Sequence, residues 1–252
     1  MPAVVIWTRE CSPKNSLIYG RDIFPPKIFM KIGILSIVAT PIGNLEDITL
    51  RALRVLKEAD YILCEDTRVT GKLLKHYEIK APLKRYDAHT SESTHERVLA
   101  DLEEGKRIAL VSDAGTPGVS DPGVLLVQRA RAAGAKIEAI PGPSAITAAF
   151  SIAGLVGNQF VFLGFAPQKK GRETFFKSLV DYDIPVMFFE STHRILKTLE
   201  ALQNPSVERK VSVGRELTKF FEEFISGTPE EMLTYFTDRR DHQKGEFVIM
   251  VH

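Results

Sequence analysis

Cysteine is nearly absent from this 252-residue chain: only Cys11 and Cys64 occur, far apart and without CxxC spacing. That excludes a disulfide-stapled scaffold and a cysteine-built metal site, and it points to a reducing, cytoplasmic setting with no metal. Long apolar runs are missing as well. A charge, Gly or Pro interrupts every stretch before the roughly 18 apolar residues a membrane span needs, so a soluble protein with no membrane partner is expected. Nor does one sign of charge dominate, since 33 Lys and Arg stand against 32 Asp and Glu. A uniformly basic, non-specific nucleic-acid binder is thereby excluded, DNA is not an expected partner, and any RNA contact must come from local patches.

A hydrophobic content of 44% over this length can bury a sizeable core. Residues 1–29 mix Trp7, Cys11, Pro13, Pro25 and Pro26 without a period, and they lack the basic start and apolar stretch of a signal peptide. They read as a disordered arm or a mis-assigned start, with the fold beginning near Met30. From Gly33, short apolar runs alternate with amphipathic stretches, the pattern of α/β layering around a parallel sheet. Strands are expected at Ile34–Ala39, Tyr61–Glu65, Arg107–Ser112 and Lys136–Ile140. The first helix is expected near Asp47 as N-cap, turning Ile48, Leu50, Leu53 and Leu56 to the sheet, and Gly134 is placed to end a later helix after Ala133. The break at Gly154–Asn158 marks a boundary between domains at 30–154 and 155–252. Beyond it, strand candidates at Phe160–Phe165, Val186–Glu190, Lys210–Val213, Phe220–Ile225 and Glu246–Val251 follow closely, with one helix at Thr192–Leu202. So little room for crossovers implies mixed or antiparallel pairing.

Three loops stand directly after strands of the first half. Thr40-Pro-Ile-Gly-Asn44 brings backbone N–H groups to the carboxyl edge of a sheet, where α/β proteins place ligands, although a Gly turn is often only a turn. Ser112-Asp-Ala-Gly-Thr-Pro117, continuing to Gly123, is too constrained and polar for a mere connector. Pro141-Gly-Pro-Ser144 opens a small-residue helix, which Ser144 either caps or uses to hold a ligand. None is the GxGxxG of a dinucleotide fold. Together they predict one binding crevice.

Read in order, Thr40–Asn44, Glu65-Asp-Thr-Arg68, Ser112–Pro117, Pro141–Ala145, Glu190-Ser-Thr-His-Arg194, Arg215-Glu-Leu-Thr-Lys219 and Lys244-Gly-Glu246 resemble the ribosomal RNA cytidine 2'-O-methyltransferases of the tetrapyrrole methylase family. The likeness covers residues 33–252. It implies the class III methyltransferase fold, an α/β architecture of a parallel-sheet N-terminal and a mixed-sheet C-terminal domain, with S-adenosylmethionine between them, usually as a homodimer. It implies 2'-O-methylation of a cytidine in 16S rRNA at the decoding centre of the small subunit. By the same likeness, Pro41, Gly43, Asp113, Gly115, Thr116, Pro117, Ser120, Ser144, Phe189, Arg215 and Gly245 are candidates for the cofactor site. Longer relatives carry a small further C-terminal domain, whose RNA contacts are expected to be missing here.

Methyl transfer to a hydroxyl needs positioning and a proton acceptor. Glu65, Asp66, Arg68, His193 and Lys219 are the catalytic candidates, with Glu65 or Asp66 first for the base. Each has a bland reading: Asp66 capping a helix and paired with Arg68, His193 in a polar helix start, and Lys219 or Arg215 balancing Glu216. Local basic patches at Lys72, Lys75 and His76, at Lys169–Arg172, and at Arg239–Arg240 are candidates for RNA grip. Two other functions compete: C-methylation of a small tetrapyrrole, and a non-catalytic module binding cofactor or RNA.

Overall fold

The computed structural model describes residues 33–121, 123–203 and 209–252; the expectation for residues 1–29 lies outside them. Residues 31–252 form one compact unit built on two five-stranded sheets. The first contains β1 (Ile34–Val38), β2 (Tyr61–Cys64), β3 (Leu83–Arg85), β4 (Arg107–Val111) and β5 (Lys136–Ile140), all parallel, in the order β3-β2-β4-β1-β5. Its helices are α1 (Leu50–Glu58), α2 (Thr67–His76), α3 (Glu92–Glu103), α4 (Val124–Ala132) and α5 (Ala145–Ile152).

Strand periodicity explains why helices cover both faces. Along β2 and β4, Ile62, Cys64, Ala109 and Val111 enter a core shared with Val55 and Leu56 of α1 and Leu73 and Leu74 of α2. The intervening Tyr61, Leu63, Ile108 and Leu110 face Val98 and Leu102 of α3 and Leu126 and Ala130 of α4. Successive strand residues point to opposite faces, so a continuous apolar run demands two covering layers.

The second sheet contains β6 (Val161–Phe165), β7 (Val186–Glu190), β8 (Val211–Arg215), β9 (Glu223–Gly227) and β10 (Phe247–Val251), in the order β6-β7-β10-β8-β9. Only β6 and β7 are parallel; β10 runs antiparallel to β7 and β8, and β9 to β8. The mixed pairing read from the short connections is therefore present. One face packs on α6 (Arg172–Ser178), α7 (Ile195–Leu202) and α8 (Pro229–Asp238). The other, through Met187, Val248 and Met250, meets Ile146 and Ala149 of α5 together with Ile42 and Leu217. α5 thus belongs to the first sheet by chain order and buries its apolar face on the second.

Several boundaries differ from expectation. A 3-10 turn occupies Leu45–Asp47, and Thr49 rather than Asp47 caps α1, its hydroxyl accepting from the Ala52 amide at 3.1 Å. Leu50 consequently points outward, 86% exposed, while Ile48 and Leu56 are buried. The strand-like run of Phe220–Ile225 starts late: Phe220 and Phe221 are exposed and β9 begins at Glu223. Gly134 behaves as read. At φ +76° it follows the C-cap Ala133, and the Ala135 and Gly134 amides donate back to Ala130 and Arg131 at 3.0 and 3.1 Å, a Schellman closure.

Candidate active site

The strand order dictates where a ligand can sit. From β1 the chain crosses toward β2, whereas from β4 it crosses the other way, to β5, although β1 and β4 are neighbours. Loops leaving neighbouring strands in opposite directions open a crevice at their carboxyl ends. Here the loops are tied across it. Thr40 and Gly115 exchange backbone hydrogen bonds of 2.9 and 3.0 Å, and the Thr40 hydroxyl donates to the Ser112 carbonyl at 3.0 Å. Gly142 lies so close to Ala39 that an added Cβ would come within 3.0 Å of the alanine methyl.

A cavity of about 430 Å³ opens over these loops. Glu65, Asp113, Gly115, Thr116, Asp121 and Ser144 line it from the first sheet, and Phe165, Phe189, Glu190, Thr192, Gly245 and Glu246 from the second. Ser120 also lines it, at φ +67°. Ser144 occupies the N-cap position of α5 without a capping bond from its side chain, which leaves the hydroxyl to the cavity. On the second sheet, the Thr192 hydroxyl donates to the Gly245 carbonyl at 2.6 Å and accepts from the Gly245 amide at 3.2 Å, joining the ends of two neighbouring strands. Gly245 has φ +112°, and a Cβ there would meet the Glu216 side chain at 2.6 Å.

Of the cofactor candidates, Asp113, Gly115, Thr116, Ser120, Ser144, Phe189 and Gly245 therefore line the cavity, while Pro41, Gly43, Pro117 and Arg215 do not. Pro41 and Pro117 are buried in the loops behind it. Gly43 packs under Lys219, with a virtual Cβ only 2.3 Å from that side chain. Arg215 is buried and its guanidinium is used internally, donating to the carbonyls of Lys244, Phe221 and Asp241 at 2.7, 3.3 and 3.3 Å. It shapes the turns flanking β8 and β10.

Among the catalytic candidates, Glu65 alone lines the cavity. Burial and the nearby charges of Asp121, Asp113 and Asp87 push its carboxyl up to about 7. Asp66, one residue on, is a helix cap: it accepts from the Arg68 amide at 2.8 Å and from the Arg68 guanidinium at 2.6 to 3.1 Å. Those bonds hold it far below the carboxylate range. Arg68 is spent on the same contact. His193 is exposed on a 3-10 turn. Lys219 acts at one remove, donating to Glu216 at 2.8 Å and to Glu246 at 3.0 Å. Burial opposes its charge, yet these two hydrogen bonds prevail and raise its pKa.

Sequence reasoning missed Asp121, Phe165, Thr192 and the Glu190 lock. Asp121 lies in a loop already singled out, and burial, partly offset by a hydrogen bond with Ser112, pushes it up to about 6. Glu190 ends β7 with a side chain fully removed from solvent. It accepts from Arg172 (3.0 Å), Arg194 (2.7 Å), Thr198 (2.6 Å) and the Ser191 amide (2.7 Å). Arg172 is thereby withdrawn from the basic patch expected to grip RNA.

Comparison with known proteins agrees with the architecture. Residues 35–233 match the model of the tetrapyrrole (corrin/porphyrin) methylases. The ribosomal RNA small subunit methyltransferase I of Thermotoga maritima is 44% identical over 220 residues, covering 87% of this chain and 98% of that protein. Its namesake in Halalkalibacterium halodurans is 46% identical over 220 residues, covering 87% and 75%. Among solved structures, a diphthine synthase superposes with a TM-score of 0.67 at 16% identity, covering 87% of this chain and 89% of its own. Cobalt precorrin-4 methyltransferase gives 0.66 at 19% identity, covering 86% and 94%. The strand order, the crevice between β1 and β4 and these matches place the chain in the tetrapyrrole methylase family, in the group of proteins named ribosomal RNA small subunit methyltransferase I.

Proposed function

We propose that this chain methylates the ribose 2'-hydroxyl of a cytidine in 16S ribosomal RNA, at the decoding centre of the small subunit, using S-adenosylmethionine. The substrate class rests on one observation: 44% identity that runs through 98% of a relative named for small-subunit ribosomal RNA methylation. The reading places the enzyme in the cytoplasm, acting as a homodimer on an assembled particle, since sequence-specific RNA reading works on unstacked nucleotides presented by the fold of the RNA.

The cavity residues fit the cofactor. About 430 Å³ lies within the range of roughly 300–1,000 Å³ common to small-molecule sites. Ile42, Ile146, Phe165, Phe189 and Leu217 provide an apolar lining for a purine, and Glu65, Asp113 and Asp121 provide negative charge for a sulfonium and an ammonium. When bound, S-adenosylmethionine supplies an electrophilic methyl on a positively charged sulfur. The chain's own task is to orient the hydroxyl and take its proton. Glu65 is the acceptor: its carboxyl lines the cavity, and a value of about 7 leaves it both ionised enough and basic enough near neutral pH. Glu190, locked by its two arginines, and Glu246, held by Lys219, fix the opposite wall.

The deciding experiment supplies methyl-labelled S-adenosylmethionine to purified small subunits that lack the modification, followed by mass spectrometry of the nucleosides. Labelled 2'-O-methylcytidine is the expected product. Transfer to neither subunits nor bare RNA, with cofactor binding demonstrated, would overturn the reading and favour a small-molecule substrate.

A further inference from the structure

The loop after β6 meets the cavity at its base and solvent at its tip. Phe165 ends β6 on the cavity wall, and the next residue, Ala166, donates its amide to the carbonyl of cavity-lining Phe189 at 3.0 Å. At the far side of the loop the Arg172 guanidinium donates to the Pro167 carbonyl and to Glu190, both at 3.0 Å, and to the Thr198 hydroxyl at 2.6 Å. Glu190 is itself a cavity residue, so both ends of the loop are fastened to the wall of the site. Between those anchors the Arg172 amide donates to the Lys169 carbonyl at 3.2 Å, closing a turn whose third residue, Gly171, has φ +82°. Lys169 and Lys170 occupy the first two positions of that turn, and both are exposed. Among the described residues neither lysine has an ion-pair partner, because the acids that flank the turn are engaged elsewhere, Glu173 by Lys177 and Glu190 by Arg172 and Arg194.

Resting on the RNA reading above, we propose that Lys169 and Lys170 grip the RNA backbone at the mouth of the site, where the phosphates flanking the target ribose arrive. A net charge of +1 gives no general attraction for a polyanion. Glu65, Asp113 and Asp121 make the first-sheet wall of the cavity repel one. A ribose whose 2'-hydroxyl enters that cavity carries a phosphate on each side, and these stay at the rim. Cations fixed there offset the repulsion. A lysine ammonium is a compact charge on a flexible stem, suited to holding phosphate without reading base identity. The other basic patches lack this placement. α2 leads away from Glu65, so Lys75 and His76 in its last turn lie about 12 Å or more down the helix from Thr67. Arg239 is laid over the Tyr235 ring at 4.2 Å.

Binding of purified small subunits, measured as affinity against salt concentration, tests the grip. The Lys169→Gln/Lys170→Gln double variant is compared with wild type and with the charge-preserving Lys169→Arg/Lys170→Arg. A further control, Lys210→Gln, removes an exposed lysine charge beside β8 at the sheet edge opposite the cavity. Each phosphate contact contributes about 0.7–0.9 to the slope of log affinity against log salt. The Gln pair should flatten that slope by about 1.5 and lower affinity at 0.1 M salt by about tenfold or more. Its KM for subunits should rise by a similar factor, while kcat and the affinity for S-adenosylmethionine stay at their wild-type values. The Arg pair should retain slope and affinity, and Lys210→Gln should change neither. A slope and KM unmoved in the Gln pair overturn the proposal. Weaker binding at an unchanged slope also overturns it, assigning the lysines to a protein surface of the particle. So does an equal flattening in Lys210→Gln, which would reduce the effect to net charge. The two readings fail distinguishably: a wild type that binds S-adenosylmethionine but neither binds nor methylates subunits sinks both, and a wild type that does both beside an unaltered Gln pair sinks only the grip.

Discussion

Replacing Arg172 by Met keeps an unbranched stem over the Phe176 ring, which the guanidinium now covers at 4.9 Å, and deletes the charge. Three hydrogen bonds go with it, to the Pro167 carbonyl (3.0 Å), Glu190 (3.0 Å) and the Thr198 hydroxyl (2.6 Å). The Glu190 side chain is 0% exposed, so water cannot replace the lost donors. Breaking a buried ion pair from one side costs about 3–5 kcal/mol. Because Arg194, Thr198 and the Ser191 amide still hold the carboxylate, the lower end, about 3 kcal/mol, is the expected loss. For a chain of this size that is a fall in Tm of about 6–12 °C. Denaturant unfolding and calorimetry at pH 7 give both quantities. Adding Glu190→Gln to Arg172→Met should restore part of the loss, since no orphaned charge remains, and the coupling should be about 1–3 kcal/mol. A single-variant loss under about 1 kcal/mol, or strictly additive effects, would refute the claim that this carboxylate depends on its arginines.

Other consequences concern the cavity acids and the helix ends. Glu65 and Asp121 keep their protons in the folded chain above the pH at which an unfolded carboxyl releases them. The folded state thus binds more protons between about pH 4 and 7, and these groups lower stability as pH rises through that window. Asp121→Asn should accordingly raise Tm at pH 8 and leave it unchanged at pH 4, as scanning calorimetry can establish. S-Adenosylmethionine carries a sulfonium charge that S-adenosylhomocysteine lacks. Calorimetric titration should show affinity for the former rising at least about threefold relative to the latter between pH 5.5 and 8, as the acids ionise; parallel pH profiles would place the sulfonium elsewhere. Thr228 caps α8 in a reciprocal capping box with Glu231. Thr228→Ala should cost about 0.5–2 kcal/mol in denaturant unfolding while leaving cofactor affinity unchanged.

Most of the scaffold is legible in the chain. Apolar runs of strand length separated by amphipathic stretches yield the parallel first sheet, because its central strands β2 and β4 bury both faces and so carry a continuous signal. Crowded strands without room for crossovers yield the mixed second sheet. β3 left no such trace: of its three residues, Leu83 and Lys84 are only partly buried and Arg85 is exposed, and three residues are too few for a period. Helix starts were harder, as at Asp47, where a short 3-10 turn shifts the cap by two residues and turns Leu50 outward. The loops after β1, β4 and β5 were recognisable because Gly and Pro at strand ends are local signals.

What a linear pattern cannot carry is which polar group finds which partner. Glu65 and Asp66 are adjacent and chemically alike, yet one faces a cavity among unneutralised acids and the other caps a helix beneath Arg68. Arg172 reads as part of a basic patch until β7 brings Glu190 against it from 18 residues away. Arg215 and Lys219 share one motif, and folding spends the first on backbone carbonyls and the second on Glu216 and Glu246. The sequence by itself determined the layers, the loops and the family, since these follow from local periodicity and turn chemistry. Only the tertiary structure decided which carboxylates were left without a cation, because charge pairing is a matter of distance across elements that the chain order does not contain.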